Sequence, residues 1–213
     1  MRIYESVKCE DFPCLDVEKE GFLIPDIKIE PEKIKIVMIS EATPGDPRDH
    51  FYSPGNPFYL QTTVQAFNDA GLEVSSMKDI LDLGIYLTTA VKCAKIGYSV
   101  SSTTIKNCSL ILEREIGLFP NTRAILLMGD VAIKAMNCIA ERNIGKRVLP
   151  SGSTYKIRRN NYFYKGIRVF PSYLQTGKSY LIEKSKRKMI AEDIKAAWKH
   201  VSIKYSSPQD QLI

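Results

Sequence analysis

No stretch of this 213-residue sequence comes near the run of roughly 20 apolar residues that a membrane-spanning helix needs. The N-terminus lacks the short apolar core of a secretion signal, so the expected location is the cytoplasm. Five cysteines, an odd number in a chain without such a signal, argue against a disulfide framework and leave metal ligation or plain burial. Internal repeats and low-complexity tracts are absent, which excludes solenoids and fibrous arrays. Histidine is scarce too: His50 and His200 are the only two.

What is present is an ordinary globular composition, 44% apolar and 25% charged, in a length expected to form one domain over residues 1–213. The net charge of +6 hides an asymmetry. Residues 1–140 hold 14 Lys and Arg against 19 Asp and Glu, a balance of −5, whereas residues 141–204 hold 16 against 4, a balance of +12. A basic half of this kind suits a polyanion, or is simply a solvated surface. The aromatics interleaved with it (Tyr155, Tyr162, Phe163, Tyr164, Tyr173, Tyr180) favour nucleic acid, because rings stack on bases while Lys and Arg hold phosphates.

Three apolar runs, 34–39, 85–91 and 124–128, read as buried parallel strands. Helical spacing lies between them. Leu60, Val64 and Phe67 share one face ahead of Gly71; Ile105, Cys108, Leu112 and Ile116 mark a second helix; Asp130 is placed to cap a third. Residues 155–173 read as a strand pair turning at Asn160-Asn161 or as a loop ending in a strand, and 181–201 as a final helix. Strand–helix alternation predicts an α/β fold, a three-layer α/β/α sandwich on a central, mostly parallel four-stranded sheet. The first 30 residues are expected to wrap the sheet as an arm, and 206–213 to form a flexible tail.

The oddest segment is MISEATPGDPRDHFYSPGNPFYLQ, residues 38–61, which follows a strand with four prolines, two glycines, an acid at the strand tip, Glu41, and a clump of aromatics. Ligands of open α/β sheets bind beyond the carboxyl ends of the strands, so this segment, the stretches after Val91 and Val169 and the Gly129-Asp130 turn fall on one rim.

In these residues the chain resembles the uracil-DNA glycosylase superfamily, most closely its iron–sulfur branch, family 4. "MISEATPGD…SPGNPFYLQTTVQAFNDAGL" is similar to that branch's strand, Gly-Glu-Ala-Pro-Gly and Gly-x-Pro-Phe turn. "YLTTAVKC", 86–93, resembles its Thr-Asn-x-Val-Lys-Cys strand; "NTRAILLMGDVAIKAM", 121–136, and "GIRVFPSYLQTG", 166–177, resemble its later segments in the same order. The resemblance implies a monofunctional DNA glycosylase of base-excision repair, a hydrolase that flips uracil or another deaminated base from single- or double-stranded DNA and cleaves its N-glycosidic bond. A catalytically weak iron–sulfur protein that binds nucleic acid through the same fold is the alternative it leaves.

Carried over residue by residue, the resemblance makes Glu41 the carboxylate that stabilises the sugar cation and orients water, with Asp46 in reserve. Phe58 is the ring that stacks on the base, and the Ala42–Gly45 turn offers backbone N–H groups. A [4Fe–4S] cluster on Cys9, Cys14, Cys93 and Cys108 is implied, although Cys9 and Cys14 are spaced C-x4-C where the family has C-x2-C. Cys138 reads as core. DNA is the expected partner of a monomer without membrane contact, its phosphates near Lys178, Lys184, Lys186, Arg187 and Lys188, with Arg158 and Arg159 adjacent. Three departures alter the pattern. The family's base-reading Asn falls on Thr89, and its leaving-group histidine on Leu174, or on Phe170 or Gln175 in neighbouring registers. The first loop is longer by a few residues and carries His50, Phe51 and Tyr52. His50, Gln175 and Thr176 are the candidates to replace the lost histidine.

Overall fold

The structure, a computed structural model, describes residues 1–176 and 178–202, without the side chains of Lys178 and Ser179. The expected 206–213 tail and the phosphate contact assigned to the Lys178 side chain lie outside the described residues.

In chain order the elements are α1 (Ile3–Ser6), β1 (Val17–Glu18), β2 (Ile36–Thr43), α2 (Phe58–Asp69), α3 (Met77–Asp82), β3 (Ile85–Lys95), α4 (Ser102–Ile116), β4 (Ala124–Met128), α5 (Asp130–Ile144), α6 (Thr154–Ile157), β5 (Tyr162–Tyr164), β6 (Ile167–Ser172), α7 (Lys178–Ile182) and α8 (Lys184–Ser202). The sheet order is β1-β3-β2-β4-β6-β5. Its inner four strands are parallel, as expected. The sheet has six strands in all, because β1 and β5 add antiparallel edges. Two- and three-residue edges are too short to leave a periodic signal, which is why the expected count stopped at four.

The near-continuous apolar β2, β3 and β4 are buried on both faces, as parallel strands must be. One face packs α4, α5 and the N-terminal arm through Val37, Ile39, Leu112 and Met136; the other packs α2 and α8 through Met38, Leu87, Phe67 and Ile194. Three local expectations change. Gly129, at φ 99°, occupies the N-cap of α5 and Asp130 is the first helical residue. The β5–β6 hairpin turns at Lys165-Gly166, both with positive φ, rather than at Asn160-Asn161. β2 also runs on to Thr43, so Glu41 belongs to the strand and not to the loop after it.

Two buried ion networks tie helices to the sheet. Lys92 of β3 pairs with Glu115 of α4, their side chains 1% and 0% exposed. Glu115 also accepts from the Tyr86 hydroxyl at 2.6 Å and the Thr88 hydroxyl at 2.9 Å, so its charge is well satisfied. In the second, Arg158 after α6 meets Asp193 of α8 at 2.7 Å and Glu192 at 3.1 Å, and Ser172 of β6 donates to the same Asp193 at 2.6 Å.

Removing one partner of a buried pair strands the other charge. Lys92→Met should therefore cost about 3–5 kcal/mol of stability, and the double variant Lys92→Met with Glu115→Leu should recover much of it; urea melts compare the two. Arg158→Ala should show a stability loss of the same order, about 3–5 kcal/mol, in the same melts.

Candidate active site and cysteine cradle

β2 ends on the rim with Glu41, whose side chain remains 21% exposed and faces the Lys95 ammonium at 3.7 Å. The carboxylate lies flush against Gly129: a Cβ there would stand 2.8 Å from Glu41 Oε1. Glycine at this N-cap thus serves both the backbone's positive φ and the approach of an anion to the start of α5, where the helix dipole favours negative charge. Nothing in the Met-Gly-Asp sequence alone announced this contact.

The other expected groups gather around β2 and β3 to different degrees. Phe58 opens α2 half-buried, its N–H donating to Asp49 at 3.4 Å, and among the described residues no aromatic ring stacks on it. Thr89 is 1% exposed and sits beside Ser40 in the parallel register. Gln175 is fully buried; its amide donates to Ser40 Oγ at 2.9 Å and accepts from it at 3.1 Å. Leu174, next to it, is half-buried. Ala42 remains in β2, opposite Val91, with its carbonyl taking the Tyr59 hydroxyl at 3.4 Å.

Asp46 is held elsewhere. Arg48 grips its carboxylate in a fork at 2.6–3.0 Å, and that contact pulls its pKa down to about 2. Tyr59 escaped the sequence reading, although it adjoins Phe58. Burial pushes its phenol up to about 12, with the Glu41 and Asp49 charges adding to the rise and the neighbouring Thr176 hydroxyl opposing it. The longer loop folds inward. His50 is 2% exposed, set against the Phe51 ring at 5.3 Å and Tyr52 at 5.8 Å. Burial first, and the Lys92 charge second, drop its pKa to about 3, so it is a neutral core residue.

Beneath β3 the four expected cysteines meet. Cys9, Cys14, Cys93 and Cys108 line one cavity of about 260 Å³, between the N-terminal arm and α4. The Lys92 backbone N–H donates to Cys108 Sγ at 3.2 Å. Burial raises the Cys93 thiol to about 12, and the other three cysteines add to the rise, as expected for sulfurs sharing one hollow. Among the described residues, no three His, Cys, Asp or Glu side chains converge on a point where a single metal ion would sit. Cys138, expected in the core, is half-exposed in a separate cavity with Asp130, Lys134 and Arg147.

The basic residues divide. Lys184, Lys188 and Arg159 are exposed. Lys186 is tied to Glu183 at 2.8 Å over the Tyr173 ring, and Arg187 to Asp69 at 2.8 Å over the Tyr180 ring. Arg158, expected at phosphates, is buried, and its guanidinium is taken up by Asp193, Glu192 and the Met189 carbonyl. No described helix is long and apolar enough to cross a membrane.

Comparison with known proteins agrees with this geometry. Over 102 residues the chain is 28% identical to the Type-5 uracil-DNA glycosylase of Thermus thermophilus, a match covering 47% of this chain and 46% of that protein. It thus spans about half the length of the curated relative. A family model described as the uracil DNA glycosylase superfamily matches residues 27–200, from the arm to the last turns of α8. The chain belongs to the uracil DNA glycosylase superfamily.

Proposed function

We propose that the protein is a monofunctional DNA glycosylase that hydrolyses the N-glycosidic bond of uracil or another deaminated base flipped from DNA. The observation that carries this reading is the largely covered Glu41 carboxylate, set on Gly129 at the sheet's carboxyl rim, with the loop after its strand leading to Phe58 at the start of α2. As the C1′–N bond breaks, positive charge grows on the sugar. A fixed carboxylate stabilises that charge and orients the attacking water, while Phe58 supports the extruded base. Thr89 and the 174–175 segment wall the base edge, and Tyr59 keeps its proton as a neutral donor on the same rim. Asp46, already forked by Arg48, is a poor substitute for Glu41.

Phosphates would lie along the outer face of α8, at Lys184 and Lys188, with Arg159 beyond and Lys186 and Arg187 contributing what their acidic partners leave. Cys9, Cys14, Cys93 and Cys108 fit a [4Fe–4S] cluster. The donor set is four thiols with no competing imidazole, in one hollow, and a cubane offers each thiolate its own iron corner, so convergence on one point is not required. Such a cluster would clamp the arm to β3 and α4 and supply no chemistry to the bond cleavage.

A second reading, a catalytically weak iron–sulfur protein that binds nucleic acid, is favoured by one observation: Gln175, a candidate for the missing histidine, spends its amide on Ser40.

Base release from single- and double-stranded DNA carrying deaminated and alkylated bases decides between them. Glu41→Gln keeps size and hydrogen bonding but removes the charge, so the rate should fall on the order of 100-fold or more with DNA affinity nearly unchanged. Release from no lesion by the wild type, with DNA binding intact, would establish the second reading. Iron analysis tests the cradle: anaerobically purified protein should contain about four irons, and Cys93→Ser or Cys108→Ser should lose them together with much of the thermal stability. Iron-free wild type would remove the cluster from the account.

A further inference from the structure

Breaking an N-glycosidic bond creates two charges, a cation on the sugar and an anion on the departing base. Glu41 meets the first, but the residues expected to meet the second are otherwise engaged. Leu174, where the leaving-group histidine falls on the carried-over pattern, has no donor in its side chain. His50 is 2% exposed and packed against Phe51 and Tyr52. Gln175 is wholly buried, and its amide exchanges hydrogen bonds with Ser40 at 2.9 and 3.1 Å. Thr176 is 2% exposed, and its hydroxyl meets the Tyr59 phenol.

Tyr59 is placed differently. It follows Phe58 as the second residue of α2 and is partly exposed. Its ring leans on the buried Phe51 ring, centroids 5.4 Å apart at 57°, so the side chain is held from behind. Its hydroxyl spans the two segments that would enclose a base: it donates to the Ala42 carbonyl of β2 at 3.4 Å and lies beside Thr176 after β6. A bond of 3.4 Å is long and weak, so exchanging it for a better acceptor costs little. Resting on the glycosylase reading, we propose that the Tyr59 hydroxyl is the hydrogen-bond donor to a carbonyl oxygen of the departing base, in the role the missing histidine leaves open. For uracil that oxygen is on C2, next to the bond that breaks. As the C1′–N1 bond opens, its electron pair leaves with the base and spreads onto this oxygen, where the Tyr59 hydrogen bond strengthens. Water then adds to C1′ and gives its proton to Glu41, while the base anion takes one from solvent. Tyr59 keeps its own proton throughout, because burial, with the Glu41 and Asp49 charges adding, pushes the phenol up to about 12.

The test compares two leaving groups. Single-turnover release is measured from DNA carrying uracil and from the same DNA carrying 5-fluorouracil, whose fluorine stabilises the leaving anion by itself. Tyr59→Phe keeps the ring on Phe51. It should slow uracil release on the order of 100-fold but 5-fluorouracil release only about tenfold, with DNA affinity nearly unchanged. The ratio of the two rates in one preparation does not depend on how much of the variant is folded, so a loss of stability leaves the test intact. Thr176→Val, which removes the neighbouring hydroxyl, should move that ratio in the same direction by less. Tyr59→Phe that slows both substrates equally, or neither, would overturn the role of Tyr59 while leaving the glycosylase reading in place, as would a wild type active only on other lesions. Wild type that releases no base at all would overturn both.

Discussion

The Lys92–Glu115 pair is the interaction on which the two halves of the site depend. β3 must deliver Thr89 to the rim and Cys93 to the cysteine cradle within four residues, and Lys92 stands between them. Its ammonium, wholly buried, reaches Glu115, the Thr88 hydroxyl and the Thr89 carbonyl, while its backbone N–H reaches Cys108. Glu115 lies on α4, the helix that also carries Cys108, so a single network fixes the helix to the strand from both sides. Charges this deep are stable only when every lone pair and proton is met, and here Tyr86 and Thr88 complete the set. The same positive charge adds to burial in keeping His50 neutral in the core behind it.

Much of this architecture was legible in the sequence, and the reasons are local. Short apolar runs alternating with helical spacing read as strands buried on both faces, so β2, β3 and β4 announced a parallel sheet, and Phe67, Leu112 and Met136 announced its covering helices. The four cysteines were tied together by resemblance alone, and the cavity they share is consistent with that grouping although their spacing departs from the family. What escaped notice depends on contacts distant in the chain. Arg158 looks like a surface cation until Asp193, thirty-five residues later, is seen to hold it. His50 sits in a polar, proline-rich loop, yet its ring is buried against Phe51 and Tyr52. The role of Gly129 as the floor under Glu41 involves two strands that are adjacent only in the sheet.

Those distant contacts also explain how the rim can hold an acid ready before any substrate arrives. A carboxylate half-covered by protein would be unstable if its neighbours were apolar alone. Glu41 instead has the start of α5 on one side, made accessible by the absence of a side chain at Gly129, and the Lys95 ammonium on the other. Both favour the anion, and both are fixed by elements that the sheet positions independently, β3 for the lysine and β4 for the glycine. On the proposed glycosylase reading, the charge is oriented by the fold and would need no rearrangement as the sugar cation develops opposite it, the condition under which electrostatic stabilisation is most effective. Lys95 opposes that effect while it stays at the carboxylate, because it would repel the same cation. Its ammonium is shared with the Tyr98 carbonyl, which draws part of its hydrogen bonding away from the acid.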